Sequence, residues 1–349
     1  MSTQRGYLYG VIPANGPKNY GPIGIGGGEV CAVSQGKIAM IAGPIDGLDL
    51  SHLPPEKTLQ YLAEHQRVLE RVMIDSSVIP LKFGTVAEDD RQIIGILQSG
   101  QDELTRVLQR YSGKVELDLA VFWADLQAVL GEIAHQEVVI SMKAQIAASG
   151  EATIQQRVRL GQLVKGLLDQ QREKIAAELV VALQTQWSNM VVNSTNDDSM
   201  VLNAAVLIDK TEEAQFDQTI EDLSRRYDNR LHFRCVGPLP PYSFATVEVK
   251  VINAGELNAA RQVLELGESV SLAEIKAAHR RLLQKYHPDR NSHPDAANLL
   301  KKISSAYELL EQYALNFKHR FGEAATGTLT IVKVSSLSQS PSEAGANAA

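Results

Sequence analysis

Aromatic residues and cysteines are scarce in this sequence. Phe, Trp and Tyr together make up 5% of the 349 residues, so the cores must be built mainly from Val, Leu, Ile and Ala. The two cysteines, Cys31 and Cys235, lie far apart, form no CxxC pair and have no neighbouring histidine at metal-ligand spacing. These absences argue against a disulfide framework and a zinc ribbon, and we expect two reduced core thiols.

Long apolar runs are also missing. No stretch approaches the roughly 18 to 20 uninterrupted apolar residues that span a bilayer, and the first ten residues lack a basic region followed by an apolar run. The formal net charge of -7 removes the electrostatic drive for general nucleic-acid binding. We therefore expect a cytoplasmic protein whose partners include neither nucleic acid nor membrane.

The order of helical and strand patterns indicates an α+β fold with more than one domain. Hydrophobic residues make up 44% of the chain and charged residues 21%, which is ordinary globular usage. We divide the chain into an N-terminal α+β domain (1–135), a long helix broken near Gly150 with a ferredoxin-like α+β domain (136–259), a small helical module (260–320), and a final strand with a disordered tail (321–349).

Apolar spacing places several elements inside these domains. Helices are predicted at 56–74, with Leu59 and Leu62 on the inward face, and at 89–111. The alternating strand Lys114–Trp123 completes the first α+β unit, and a strand at 243–251 completes the second. The second unit then fits a ferredoxin-like half or an antiparallel sheet with helices on one face.

No constellation of residues predicts an enzyme, a cofactor or a metal site. The glycine cluster at 24–28 is followed by Glu29 and a strand, and it lacks the Lys-Ser/Thr pair that opens a helix after a phosphate-binding loop. Nucleophile elbows, HExxH motifs and Asp-rich calcium loops are absent. The paired carboxylates Asp89 and Asp90 stand at a predicted helix start, where capping is the default role. We expect a non-enzymatic protein without a cofactor.

The helical module carries the sharpest local motif. Ser271 and Glu274 form a capping box at the start of a helix. One face of that helix is basic and presents Lys276, Arg280, Arg281 and Lys285. The helix must stop at His287-Pro288-Asp289, because proline lacks an amide donor and restricts the residue before it. This tripeptide therefore lies on a loop before a second helix.

This arrangement resembles the J-domain, which consists of a helix, a His-Pro-Asp loop and a second helix. In J-domains the basic face and the tripeptide stimulate a DnaK-type chaperone, so the resemblance implies that the same residues bind such a partner here. His279 occupies a position that is usually aromatic in J-domains. A helical hairpin that serves only for packing therefore stays open as the alternative.

The rest of the chain resembles the gas vesicle protein F/L family in four segments. They are YLYGVIP at 7–13, the run at 65–86, ELDLAVFW at 116–123 and VGPLPPYSF at 236–244. Consecutive prolines fix a rigid extended turn in the last segment, and two aromatic rings supply area to pack it. We interpret six residues of this corner as structural: Gly237, Pro238, Pro240, Pro241, Tyr242 and Phe244.

The family resemblance implies an accessory component of gas vesicles, the hollow protein-walled organelles that give buoyancy. It implies two α+β domains, one of them a modified ferredoxin-like fold, and a place on the gas-facing side of the shell. Its partners would be the shell protein and other accessory gas vesicle proteins. The alternative is a J-domain-type cochaperone adaptor that holds shell subunits and recruits a DnaK-type chaperone.

Overall fold

The computed structural model describes residues 6–45, 53–148, 150, 153–228, 230–252, 254–267, 270–286, 296–316 and 329–335. These residues form two compact units that each draw on distant segments of the sequence. The first unit draws on Met1–Val68, Leu81–Arg106 and Val247–Val334, and the second on Leu69–Pro80, Val107–Thr246 and Ser335–Ala349.

An antiparallel sheet forms the centre of the first unit. Its strands follow in the order β2-β3-β4-β1, and the short β6 also pairs with β1. Side chains along β1 are fully buried from Tyr7 to Tyr9 and again at Val11 and Ile12. The strands are β1 (Gly6–Pro13), β2 (Asn19–Gly21), β3 (Val30–Gln35), β4 (Ile38–Pro44) and β6 (Val86–Ala87), and β5 (Ile79–Pro80) precedes β6 in the chain.

Three helices follow β4, and two predictions about them were wrong. They are α1 (Pro55–Asp75), α2 (Asp90–Ser99) and α3 (Gln101–Arg110). Leu59 and Leu62 are 67% and 45% exposed rather than inward, since the buried face of α1 begins further along, at His65. The single helix predicted at 89–111 is two helices separated at Gly100. Asp89 caps α2 by accepting the Gln92 N–H at 2.9 Å, as the sequence predicts.

The second unit has a ferredoxin-like sheet. The chain order is strand, helices, strand, strand, helix, strand, and the strands pair antiparallel in the order β10-β7-β9-β8. The strands are β7 (Lys114–Trp123), β8 (Met190–Val192), β9 (Met200–Asp209) and β10 (Leu231–Leu239). The helices are α4 (Leu126–Ala134), α5 (Glu137–Ala148), α6 (Ile154–Gln184) and α7 (Glu213–Arg226).

The structure confirms the α+β class and the ferredoxin-like domain but changes the strands that build it. β7, which the sequence analysis assigned to the N-terminal domain, lies between β10 and β9. The strand predicted at 243–251 is β11 (Thr246–Ile252), and it pairs with β12 (Leu329–Ser335) in a separate sheet. Both assignments were wrong because alternation identifies a strand and not its neighbours. The other boundaries of the four-part division stay a prediction.

Several local predictions can be compared directly with the structure. The helix break near Gly150 is confirmed, since α5 ends at Ala148 and α6 begins at Ile154 behind a capping box at Thr153. The prediction of core thiols was wrong, because Cys31 is only half-buried and Cys235 is exposed. Both cysteines are free. Among the described helices, none is long and apolar enough to cross a bilayer.

Candidate interaction site

Three helices of the first unit pack around a small core of their own. They are α8 (Ala254–Val263), α9 (Leu272–Lys285) and α10 (Ala296–Asn316). The core consists of Leu257, Ala260, Leu264, Ile275, Ala278, Leu282, Ile303, Ala306, Leu309, Leu310 and Tyr313. The capping box predicted for α9 is present, because Ser271 N–H donates to Glu274 at 2.7 Å and the Glu274 N–H returns to Ser271 Oγ at 3.3 Å.

Ion pairs within the module neutralise much of the predicted basic face of α9. Lys276 Nζ lies 3.3 Å from Glu311 Oε1 on α10. Arg281 Nη2 lies 3.0 Å from one oxygen of Glu265, and Lys285 Nζ lies 3.7 Å from the other. Exposed pairs of this kind contribute about 0–1 kcal/mol each. An acidic partner can therefore displace Glu265 at little cost in stability.

The other predicted partner-binding residues are one arginine and the loop tripeptide. Arg280 forms no ion pair with any residue that the structure describes, and its Nε donates to the Lys276 carbonyl at 3.3 Å. His287, Pro288 and Asp289 lie outside the described residues. Partner binding by this set therefore stays a prediction.

Stacked rings join α9 to α10. The rings of His279 and Tyr307 have centroids 4.0 Å apart and planes only 7° apart. Burial lowers the pKa of His279, which favours the neutral ring. The Tyr307 hydroxyl donates to Glu311, and this bond raises the pKa of Tyr307 to about 12. His279 thus fills its usually aromatic position by stacking as an aromatic ring would.

The glycine of the proline-rich corner approaches β7 closely. Gly237 has a φ of 154°, and a Cβ at this position would lie 2.5 Å from Leu117 Cδ2 and 2.9 Å from the Glu116 carbonyl oxygen. The peptide bond between Gly237 and Pro238 is cis. The position therefore excludes larger residues by contact as well as by backbone conformation.

The remainder of the corner is packed inside the second unit. Pro240, Pro241 and Phe244 are buried, and Tyr242 is half-buried. The Tyr111 hydroxyl donates to the Phe244 carbonyl at 3.1 Å. Gly237 and Pro238 lie near the end of β10, and the other four corner residues lie in the connection between β10 and β11. The structural role of all six stays a prediction.

Sequence reasoning missed the buried carboxylate beneath this corner. Glu116 on β7 is 1% exposed and accepts the Ser243 backbone N–H at 2.8 Å and the Ser243 hydroxyl at 2.7 Å. Burial raises the pKa of Glu116 to about 8, against the opposing effect of both Ser243 donors. Burial also raises the pKa of Asp118, two residues along the strand. Glu116 occupies a polar position of the alternating pattern, so the spacing in this strand gave no signal of its burial.

Tyrosines of the YLYGVIP segment hold two glycine-containing loops. The Tyr7 hydroxyl accepts the Gly84 N–H at 3.1 Å and lies 2.9 Å from His65 Nδ1. The Tyr9 hydroxyl accepts the Ile25 N–H at 2.8 Å. Tyr9 also stacks on His65, with ring centroids 5.6 Å apart. These contacts anchor the glycine cluster as a structural loop of the first unit.

Residues 6–246 match the profile of the gas vesicle synthesis protein GvpL/GvpF family. The chain belongs to this family. Gas vesicle protein F of Nostoc sp. is 27% identical over 252 residues, which cover 69% of this chain and 98% of that protein. Gas vesicle protein L of Streptomyces sp. is 28% identical over 267 residues, which cover 71% of this chain and 95% of that protein. The homology supports an accessory role in gas vesicles.

The fold of this GvpL/GvpF family member is also found in a solved relative. The crystal structure of GvpF from Anabaena sp. superposes with a TM-score of 0.59 at 23% identity, covering 69% of this chain and 97% of that one. The α8–α10 module lies beyond the family match. Residues 262–314 match the DnaJ domain, and DnaJ of Synechococcus sp. is 45% identical over 64 residues, which cover 18% of this chain and 16% of that protein.

Proposed function

We propose that this protein is an accessory component of gas vesicles that assists assembly of the gas-filled shell. The family match over residues 6–246 carries the proposal. The protein would bind the shell protein or other accessory gas vesicle proteins on the gas-facing side of the shell. Apolar side chains exposed on helices, among them Leu59, Ile140 and Ile154, offer contact area for such partners. This role needs binding alone, so we propose no enzymatic activity.

The helical module supports a second function, that of a J-domain-type cochaperone adaptor. The observation that favours it is the DnaJ match together with the folded pair of α9 and α10. The adaptor would hold unassembled shell subunits while the module recruits a DnaK-type chaperone. Arg280 and Arg281 on α9 would meet an acidic surface of the chaperone, and His287 and Asp289 would complete the contact as in J-domains.

Genetic complementation separates the two functions. In vesicle-forming cells that lack the gene, the wild-type chain should restore vesicles visible by phase-contrast microscopy. His287→Gln leaves the family region unchanged and should abolish any stimulation of ATP turnover by a purified DnaK-type chaperone. Restored vesicles with this variant favour the first function, and lost vesicles at normal protein level favour the second. Failure of the wild-type chain to restore vesicles contradicts both.

Protection from protease tests the gas-facing position. A protein on the inner side of the shell should resist a protease added to intact purified vesicles and should be cut once the vesicles are collapsed. A protein on the outer side is cut in both conditions, and that result contradicts this part of the proposal. Cross-linking in intact vesicles followed by mass spectrometry then identifies the bound partner.

A further inference from the structure

An apolar groove runs between α8 and α10. Its volume is about 630 Å³, within the range of binding clefts in proteins. Ala260, Ala306 and Leu309 form its floor and are only 4%, 7% and 8% exposed. Lys250 of β11 adds to the rim. The groove therefore offers a concave apolar surface with a polar edge.

Each wall of the groove is one face of a helix. The wall from α8 consists of Glu256, Ala259, Ala260 and Val263, and the wall from α10 of Asn298, Lys301, Lys302, Ser305, Ala306 and Leu309. Both sets have the i, i+3, i+4 spacing of helical neighbours. The longer wall extends over about 16 Å, since a helix rises about 1.5 Å per residue. Small residues on both walls would let a third helix approach closely.

Positive charge dominates the rim of the groove. Lys250, Lys301 and Lys302 are exposed, and none of them forms an ion pair with another residue in the described part of the chain. Glu256 is the single acidic residue of the lining. The cations of α9 differ in this respect, because Glu265 and Glu311 already pair with three of them. Among the residues that the structure describes, the groove therefore carries three unpaired cations, whereas α9 carries one, Arg280.

We propose that the groove between α8 and α10 binds an acidic amphipathic helix of a partner protein. The apolar stripe of that helix would cover Ala306 and Leu309, and its flanking carboxylates would meet the three lysines. A nucleic-acid backbone offers the charge but no apolar stripe, and a membrane surface does not match a concave groove. The proposal concerns residues other than the predicted chaperone contact on α9, so it stands independently of the cochaperone function.

A designed peptide probes the groove on the full-length chain. The probe is a fluorescein-labelled helical peptide with Leu at i, i+4, i+7 and i+11 and Glu at most other positions, and its counterpart carries Lys in place of every Glu. Fluorescence anisotropy should show saturable binding of the acidic peptide, weakened by added salt. The basic peptide should bind at least about tenfold more weakly.

Three variants of the chain localise the binding. The double charge reversal Lys301→Glu with Lys302→Glu should weaken binding of the acidic peptide about tenfold or more. Ala259→Trp should do the same by filling the groove, and it should fold because Ala259 is exposed. The matched control is Lys18→Glu with Lys37→Glu, two exposed lysines outside the module that give the same change in net charge. Thermal unfolding checks that each variant is folded.

Four results would overturn the proposal. The first is no saturable binding of the acidic peptide by the wild-type chain. The second is equal binding of the basic peptide, and the third is an equal loss in the Lys18 and Lys37 control, which would indicate general electrostatic attraction. The fourth is binding to vesicles that contain phosphatidylserine, lost on charge reversal of Lys301 and Lys302, without binding of the peptide. That result would assign the lysines to a lipid surface.

Discussion

Glu116 and Ser243 are separated by 127 residues in the sequence and are joined by two hydrogen bonds in the structure. The carboxylate lies on the central strand β7, and the serine lies in the proline-rich corner after β10. A buried carboxylate is costly unless donors compensate it. The pair therefore fastens the corner to the sheet and makes that contact sensitive to protonation.

Ser243→Ala should destabilise the protein in a pH-dependent way. The variant removes one of two donors to a buried acid, at a cost of about 1–3 kcal/mol when the acid is ionised. Burial raises the pKa of Glu116 from its ordinary 4.5 to about 8. Between these two pH values, Glu116 is therefore protonated in the folded chain and ionised in the unfolded chain. The contribution of Glu116 to the stability of the second unit should therefore decline as the pH rises from 4.5 to about 8, by at most about 1.4 kcal/mol per unit.

Urea unfolding at several pH values measures both effects. Because the Ser243 donors favour the ionised carboxylate, the loss in Ser243→Ala should be larger at pH 9 than at pH 5. Ser34→Ala, at an exposed position of β3, is the control and should change stability by less than about 0.5 kcal/mol. A loss that is the same at both pH values would show that the serine does not act through Glu116.

Gly237→Ala should destabilise the second unit. The added Cβ would lie 2.5 Å from Leu117 Cδ2, and a φ of 154° is rare for any residue with a side chain. We expect a loss of about 1–3 kcal/mol in the free energy of unfolding. Gly166→Ala is the matched control, since no atom lies within 4 Å of its Cβ and Ala favours the helix α6. Equal stability of Gly237→Ala and the wild type would contradict a structural role for this position.

Local features could be predicted from the sequence because neighbouring residues determine them. The Ser271 capping box, the Asp89 cap and the break near Gly150 each depend on a few adjacent residues. The J-like helix pair was recognisable for the same reason, since its capping box and its His-Pro-Asp tripeptide are both short local motifs. Apolar periodicity likewise located most helices and strands.

The features that could not be predicted depend on contacts between distant residues. The apolar spacing in β7 does not indicate that β9 and β10 are its neighbours in the sheet. Likewise, β11 pairs with β12 although the helical module separates the two strands in the sequence. Glu265 and Glu311 neutralise much of the basic face of α9 from outside that helix, so the sequence of α9 alone does not determine the net charge of this face. Glu116 lies on the polar face of the alternating strand β7, and contacts with distant residues bury that face at this position.

Acid should destabilise the first unit through His65. This side chain is 1% exposed, and burial lowers its pKa from 6.5 to about 4. Between pH 6.5 and 4, His65 is therefore protonated in the unfolded chain but neutral in the folded chain. The stability that the neutral ring contributes is fully present above pH 6.5 and is lost as the pH falls toward 4, by at most about 1.4 kcal/mol per unit. His65→Phe removes the titration and should flatten this part of the profile.

The His65 prediction needs a control for general acid effects. His135→Phe is suitable, because His135 is exposed at the end of α4 and its ring is not part of a core. Urea unfolding between pH 4 and 7 should give the wild-type slope for this variant. An unchanged slope in His65→Phe would assign the acid sensitivity to other groups.

Glu265→Gln should strengthen binding of a DnaK-type chaperone if α9 is its contact. The change releases Arg281 and Lys285 from their ion pairs, at a stability cost of less than about 1 kcal/mol because all three side chains are at least half exposed. With two more free cations on α9, the affinity measured by surface plasmon resonance at low salt should rise about two- to fivefold. Glu308→Gln changes the net charge equally and breaks no ion pair among the residues that the structure describes. The same gain in both variants would mean that the chaperone responds to net charge alone, and no gain in Glu265→Gln would contradict docking on the face of α9.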